Sequence, residues 1–274
     1  MSDQIVLTLR NRPAAAVDAS ALALHSWAGL TGSEIEHLPL RVDGVGMVAL
    51  GDLFGATGER STRIRLVGDL SMFEGLGTGL ADGQVVIEGD AGPRVGAGMR
   101  AGQITVTGNA GWGAGLEMAG GLLDVGGDAG PRAGGAALGA KRGMTGGELI
   151  VRGHAGPEVG ASMRRGLVAI GGDAGEGAGR ATIAGTVVVF GATGANPGQW
   201  SKRGTIVALG PVTPPATYRY ACNYRPQYLG VLLRHLATDR RMPLTGEHLT
   251  GSYQRYSGDL AELGAGEILA WTRN

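Results

Sequence analysis

The residues that could do chemistry in this chain are cations, most of them adjacent pairs that precede a glycine. Seven take part, and they are Arg100, Lys141, Arg142, Arg164, Arg165, Lys202 and Arg203. They recur near one point of a repeated segment, so we expect a basic column along one edge of the molecule. Neighbouring cations repel one another. Such a column is either solvated or covered by a polyanionic ligand or an acidic protein surface, and the sequence leaves both open.

Catalytic groups are not evident. The five histidines are scattered, and they are His25, His37, His154, His235 and His248. None has a metal-ligand spacing, and no phosphate-binding lysine motif is present. We therefore expect neither a catalytic residue nor a metal site in this chain.

Short polar residues recur at one turn of the repeat. They are Asp69, Asp90, Asn109, Asp128 and Asp173, with His154 in the same place once. Stacked acids could bind a cation. Such side chains ordinarily bond to nearby backbone N–H groups, and we favour backbone capping. His154 is expected to be a surface turn residue.

A glycine follows a short apolar run at positions 68, 89, 108, 127, 153, 172, 191 and 210, most often 19 residues apart. A fixed period of this length is typical of a solenoid. Each unit has a β-branched strand, a Gly-Asp-Ala-Gly turn and a second extended piece, as in Val95–Met99. We expect an inward column of Val86, Ile104, Leu123, Leu149, Val168 and Val187. The period of 19 fits neither hexapeptide nor calcium-binding nonapeptide repeats. The predicted fold is all-β, a single-stranded right-handed parallel β-helix of about 19 residues per coil with short α/β caps.

The predicted domains are an N-terminal capping segment at 1–60, the β-helix at 61–211 and a C-terminal region at 212–274. The first should hold a strand at Ile5–Leu9, a helix from Ser33, whose spacing to Glu36 is a capping box, and a strand at Val45–Leu50. Gly51-Asp52 looks like a copy of the repeat's turn, and Arg63–Asp69 like a degenerate first coil. The interval from 127 to 153 is longer than the others, so a loop should bulge within Ala133–Gly147.

In the C-terminal region, apolar residues at helical spacing predict a helix from about Pro226 to Ala237. We expect this helix to cover the open end of the last coil. Closing strands should follow at Tyr253–Tyr256 and Glu267–Trp271.

Composition limits the partners. The net charge is zero, so we expect neither a nucleic-acid nor a membrane partner. Cys222 is the single cysteine, which excludes an internal disulfide and suits a reducing compartment. No secretory signal and no apolar run of membrane-spanning length is seen, so the cytoplasm is the expected location.

The repeated unit x-V-x-I-x-G-D-A-G-x-x-x-G-x-x-M-x-x-G, at 84–102 and 148–166, resembles a known family. Val48–Phe54 and Tyr224-Arg225-Pro226 extend the resemblance to both flanks. The family is the β-helical subunit of formylmethanofuran dehydrogenase, with its bacterial counterpart in the formyltransferase/hydrolase complex. A similar glycine-repeat domain occurs in the large subunit of glutamate synthase.

The resemblance implies a cytoplasmic hetero-oligomer of one-carbon metabolism, as in methylotrophy. Formyl groups pass there between a tetrahydromethanopterin carrier and a methanofuran-type carrier. The implied partners are a formyltransferase, a zinc hydrolase-like subunit and a subunit derived from a molybdopterin-type protein. The chain itself would be a non-catalytic scaffold that binds no cofactor alone. Methanofuran-type carriers have glutamate-containing tails, and we expect the basic column to hold such a tail.

Two alternatives remain open at this point. One is a glutamate-synthase-like β-helix spacer in an amidotransferase complex, which co-purification would distinguish. The other is a stand-alone β-helix hydrolase acting on sugars. A secretory signal or clustered surface carboxylates would favour the hydrolase, and neither is present.

Overall fold

The computed structural model describes residues 4–272 of the 274-residue chain, and strands dominate it. The N-terminal elements are β1 (Ile5–Leu9), β2 (Val17–Asp18), a 3₁₀ turn (Leu24–Gly29), α1 (Gly32–Glu36), β3 (Pro39–Val42), β4 (Gly46–Ala49), α2 (Leu50–Leu53) and β5 (Phe54–Thr57). The repeats hold β6 (Arg63–Val67), β7 (Phe73–Glu74), β8 (Gln84–Glu88), β9 (Gln103–Val106), β10 (Leu122–Val125), β11 (Glu148–Val151), β12 (Leu167–Ile170), β13 (Thr186–Val189) and β14 (Thr205–Ala208). The C-terminal elements are β15 (Arg219–Tyr224), α3 (Gln227–Thr238), α4 (Gly246–Thr250), β16 (Ser252–Gly258) and β17 (Gly266–Thr272).

A 13-stranded sheet contains most of these strands, in the order β15-β16-β17-β14-β13-β12-β11-β10-β9-β8-β6-β1-β5. From β8 to β14 each strand pairs in parallel with the strand of the next repeat. A second sheet has the order β4-β3-β2-β7. One strand per repeat therefore joins a common sheet, as the period predicts.

The inward column contains Val85 and starts further back, since Ile5 pairs with Ile64 and Ile64 with Val85. Val85 pairs with Ile104, which pairs with Leu123, and the column continues through Leu149 and Val168 to Val187. The prediction of Val86 is wrong by one residue, because Val86 pairs with Thr105 and is only half-buried. Side chains alternate between the faces of a strand. Since Ile87 is buried opposite Val106, Val85 must face inward as well.

Bonds between repeats explain the Gly-Asp-Ala-Gly turn. Asp90 Oδ1 accepts the Asn109 N–H at 2.7 Å, and Asn109 Oδ1 accepts the Asp128 N–H at 2.8 Å. The same bond recurs in the next three turns. Asp128 accepts the His154 N–H, His154 Nδ1 accepts the Asp173 N–H, and Asp173 accepts the Ala192 N–H. We call this series the turn ladder. Backbone capping is confirmed, although the capped N–H belongs to the following repeat. Asp69 differs, since it caps Ser71 within its own turn.

The glycines and the alanine of the motif follow from this ladder. A methyl group at Gly108 would overlap the Asp90 carboxylate oxygen that reaches past it. A methyl group at Gly111 would lie 2.7 Å from the backbone nitrogen of Pro93 in the preceding turn. The alanine between them is buried and forms a β-bridge to its counterpart, in the series Ala91, Ala110, Ala129, Ala155 and Ala174.

The second extended piece is absent from the unit at Val95–Met99, where consecutive turns replace it. Arg94, Gly96 and Gly98 have left-handed backbone, with φ of 60°, 67° and 63°. Residues with positive φ alternate here with residues of negative φ, so the segment turns repeatedly instead of extending. Val95 and Met99 are buried within it. Met99, Met118, Met144 and Met163 are all fully buried and occupy one repeat position.

The N-terminal segment adds two strands, β1 and β5, to the 13-stranded sheet and differs from prediction in two details. β1 is confirmed and pairs in parallel with β6. The helix α1 begins earlier than predicted, since its capping box joins Thr31 and Glu34. Gly51 and Asp52 lie in α2 rather than in a repeat turn, and Asp52 caps the Ala49 N–H at 2.9 Å.

The helix α3 has the predicted bounds to within one residue but a different position. It does not cover the end of the last repeat. Its buried residues Leu229, Leu233 and Leu236 pack against the outward face of strands β11–β14. The residues covered there are Ile150, Leu167, Ala169, Val188 and Val207. Both predicted closing strands are confirmed, and β17 continues the parallel sheet after β14.

We predict that Asp128→Ala lowers the thermal unfolding midpoint. The change removes the acceptor of the His154 N–H, at 2.7 Å, at an exposed site. A bond of this kind contributes about 1 kcal/mol, which corresponds to roughly 2–4 °C in a domain of 150–250 residues. Asp128→Asn is the matched control, because Asn109 performs the same task in the neighbouring turn. Equal midpoints for the two variants, measured by circular dichroism, would contradict the proposed contribution of the ladder.

Candidate interaction site

Three of the predicted basic positions are equivalent. The Arg100 N–H donates to Leu80 O, the Arg164 N–H to Met144 O and the Lys202 N–H to Thr182 O, each at 2.8 Å. Because all three bonds reach the preceding repeat from the same position, the three cations lie at one edge. Each directly follows a buried residue. Arg165 and Arg203 extend two of these positions by one residue. We call these five cations the basic edge.

The basic edge is interrupted. The intervening repeats carry Ala119, Thr145 and Ile183 at the same position. At about 4.8 Å between strands, Arg100 lies about 14 Å from Arg164, and Arg164 about 10 Å from Lys202, measured along the stack. The screening length in physiological salt is about 8 Å, so the clusters repel one another little. All five side chains are exposed and make no ion pair within residues 4–272.

Lys141 and Arg142 do not belong to this edge, which corrects the prediction of four equivalent positions. They lie in the inserted part of the long repeat, which we call the inserted loop (residues 136–143). The Ala137 N–H donates to Glu117 Oε1 at 3.1 Å, and the Gly143 N–H donates to Ser162 O at 2.8 Å. The extra residues therefore precede Met144, so the two cations project from a loop beside the edge.

An ion-pair cluster that the prediction missed lies on adjacent turns. Glu158 accepts from Arg180 Nη1 at 2.7 Å and lies 3.5 Å from Arg132 Nε. Arg180 in turn stacks 4.3 Å above the ring of Trp200. The signal was present in the sequence. Arg132 and Glu158 occupy the same position of consecutive repeats, where opposite charges lie close enough to pair.

Exposed apolar side chains are found at Trp200, which ends this cluster, and on the loop that is bonded to its backbone. Trp200, Leu260 and Leu263 are all exposed. The buried Asp259 fixes the loop that carries the two leucines, since its carboxylate accepts the N–H groups of Trp200 at 2.8 Å and of Ala261 at 2.9 Å. Burial alone would raise the pKa of Asp259, but hydrogen bonding to the carboxylate, chiefly from these two N–H groups, outweighs burial and lowers the pKa. A fixed apolar surface results.

A second charged cluster connects α3 to the sheet. His235 Nε2 lies 3.0 Å from Glu148 Oε1, and Arg240 Nε donates to Glu148 Oε2 at 2.5 Å. His235 Nδ1 lies 2.7 Å from Asp239 Oδ2. For both Glu148 and His235, burial is the largest single influence on the pKa, and it disfavours the charged form. The hydrogen bonds prevail, lowering the pKa of Glu148 and raising that of His235.

The chemistry of these surfaces is suited to binding. Across residues 4–272 no three histidine, cysteine or acidic side chains are grouped so as to hold a metal ion. Within the same residues, none of the helices has both the length and the apolar character needed to cross a bilayer. The basic edge presents exposed cations, and the surface near Trp200 presents exposed apolar side chains.

Comparison with solved structures finds a chain that is similar to this one from end to end. No protein-family model matches the chain, and no curated protein matches it. A chain in the crystal structure of the formyltransferase/hydrolase complex (FhcABCD) from Methylorubrum extorquens, in complex with methylofuran, is 34% identical to it. The similarity covers 98% of this chain and 100% of the other, with a TM-score of 0.87.

We predict that α3 is held most firmly between about pH 4.5 and 6.5. The Glu148 contribution is present above its ordinary pKa of 4.5 and is lost as the pH falls through its lowered value. The His235 contribution is complete below its ordinary pKa of 6.5 and is lost as the pH rises through its raised value. Unfolding midpoints measured across pH should pass through a maximum in that window. His235→Gln should remove the alkaline decline and leave the acid decline. An unchanged alkaline decline in that variant would exclude His235 as its source.

Proposed function

Since the chain belongs to the family of formyltransferase/hydrolase complex subunits, we propose that it is the structural subunit of such a complex and corresponds to the glycine-repeat member. The observation that carries the proposal is the similarity from end to end. The similarity includes both regions outside the repeats. If the two chains shared only a glycine-repeat domain, these flanking regions would not match. In this proposal the chain has no catalytic residues of its own and acts in the cytoplasm in one-carbon metabolism.

In this proposal the scaffold is a right-handed parallel β-helix at 61–211, with an N-terminal cap at 1–60 and the C-terminal region at 212–274. In-register parallel pairing of successive repeats favours this architecture, as does the second series of bridges at the buried alanines. The repeats between 84 and 204 bond to their neighbours through the strands, the turn ladder and the turns. A stack held in this way keeps binding surfaces at fixed separations, which is what a scaffold requires.

The partners in this proposal are a formyltransferase, a zinc hydrolase-like subunit and a subunit derived from a molybdopterin-type protein. Interfaces favour exposed aromatic and arginine side chains set on a rigid support. The Arg180–Trp200 stack with Leu260 and Leu263 beside it has this character.

The basic edge is proposed to hold an anionic methanofuran-type carrier shared with the complex. The related structure was solved in complex with methylofuran. Cation clusters about 10 and 14 Å apart along the stack suit an extended polyanion, because a compact anion would contact one cluster only. Lys141 and Arg142 lie beside the edge and would add to its positive field.

Purification of the tagged chain from its native cells, with identification of its companions by mass spectrometry, tests the proposal. A formyltransferase and a hydrolase in stoichiometric amounts are expected. An amidotransferase or flavoprotein instead would support the glutamate-synthase-like spacer and overturn the assignment. A chain that purifies alone at low salt would overturn it as well.

For the basic edge, we predict that Arg164→Glu with Arg165→Glu weakens carrier retention at least about fivefold at low salt, since two attractions become repulsions. The difference should shrink in high salt. Retention is measured as carrier per purified complex by mass spectrometry. Arg234→Glu with Arg241→Glu is the matched control, because these two arginines are also exposed but lie in and just after α3. Equal retention by the two double variants would remove the edge from carrier binding.

A further inference from the structure

The inserted loop holds its shape although it projects from the stack. Three backbone N–H groups fix it, those of Ala137, Ala140 and Gly143. The first bonds to the Glu117 carboxylate, the second to Ala137 O at 3.0 Å and the third to Ser162 O at 2.8 Å. Both ends of the loop are buried, at Ala136 and at Gly143. A loop held in this way presents its side chains in a defined arrangement.

The side chain that the loop presents is apolar. Leu138 is 82% exposed, more than any other large apolar side chain among residues 4–272. An exposed leucine on a loop needs no explanation by itself. Here it is placed at the tip of an insertion that the neighbouring repeats lack, on backbone that is held in one shape.

The charges around Leu138 are mostly positive. Lys141 and Arg142 are exposed on the same loop and have no ion-pair partner in the described part of the chain. Arg164 and Arg165 flank the base of the loop, because the Arg164 N–H donates to Met144 O at 2.8 Å. One acid lies nearby, since the exposed Glu117 carboxylate accepts the Ala137 N–H, so four cations stand against one carboxylate. A surface complementary to this one is apolar at its centre and acidic at its rim.

We propose that the inserted loop docks into an apolar pocket with an acidic rim on a partner subunit of the complex, with Leu138 as the anchor and Lys141 and Arg142 on the rim. The inference rests on the proposed function, since it requires a partner protein. Three observations carry it together: the pinned backbone, the exposed leucine and the unpaired cations. Interface hot spots lie in well-packed pockets from which the surrounding contacts exclude water, and Leu138 could fill such a pocket.

The test compares Leu138→Asp with Val45→Asp in the full-length tagged chain, expressed in the native cells in place of the wild type. Val45 is the matched control, because it is 65% exposed in the turn between β3 and β4. We expect Leu138→Asp to lose one defined subunit of the complex at least tenfold, while Val45→Asp retains every subunit. Both substitutions are at exposed positions, so equal unfolding midpoints should show that both variants fold.

Charge reversal at the rim gives an independent readout. Lys141→Glu with Arg142→Glu should weaken capture of the same subunit, and wild-type capture should fall as salt rises. A photo-crosslinker at position 138 should attach to a peptide of that subunit that lies beside acidic residues. Crosslinking to a second copy of this chain, or to no protein, overturns the inference.

The two proposals fail differently. Full capture of all subunits by Leu138→Asp overturns the role of the loop and leaves the proposed function intact. Absence of formyltransferase and hydrolase subunits from the wild-type preparation overturns the proposed function, and the inference with it.

Discussion

The structure depends on one contact, in which a short polar side chain accepts the backbone N–H of its counterpart in the next repeat. Asp90 does so for Asn109 and Asp128 for His154, each at 2.7 Å. The contact needs a glycine directly before the residue whose backbone N–H donates, because the carboxylate oxygen occupies the space where a Cβ would lie. The recurring Gly-Asp pair is therefore a device for joining turns. His154 makes the same contact, because its Nδ1 accepts the Asp173 N–H.

A stack joined in this way separates two kinds of position. Inward residues are packed in columns and tolerate little variation, as the buried methionines and alanines show. Edge and outward residues are free to vary from one repeat to the next. The same edge position holds Arg100 in one repeat and Ala119 in the next. Residues that bind partners are therefore expected at the edges, the turns and the inserted loop.

Charges in this molecule fall into two classes. Some are paired and hold elements together, as Glu148 joins His235 and Arg240 to fix α3 on the sheet. Others, in the basic edge and the inserted loop, are exposed without an ion-pair partner among residues 4–272. Exposed ion pairs contribute little stability. The unpaired cations therefore contribute little to folding and stay available to the anionic partners proposed above.

The period, the parallel pairing of the strands and the helix near 226–237 were predictable from the sequence, since glycine spacing and apolar periodicity are local signals. The family resemblance came from the same residues. Three-dimensional packing decided which valine of β8 faces inward, because either neighbour satisfies the local pattern and only the pairing of Ile87 with Val106 chooses. It also decided that α3 lies on the outward face of β11–β14, where Ile150 and Val188 need cover. The basic pairs looked equivalent along the chain, but the insertion precedes Met144 and moves Lys141 and Arg142 off the edge. Which residues meet across repeats depends on register, and register is a property of the folded stack.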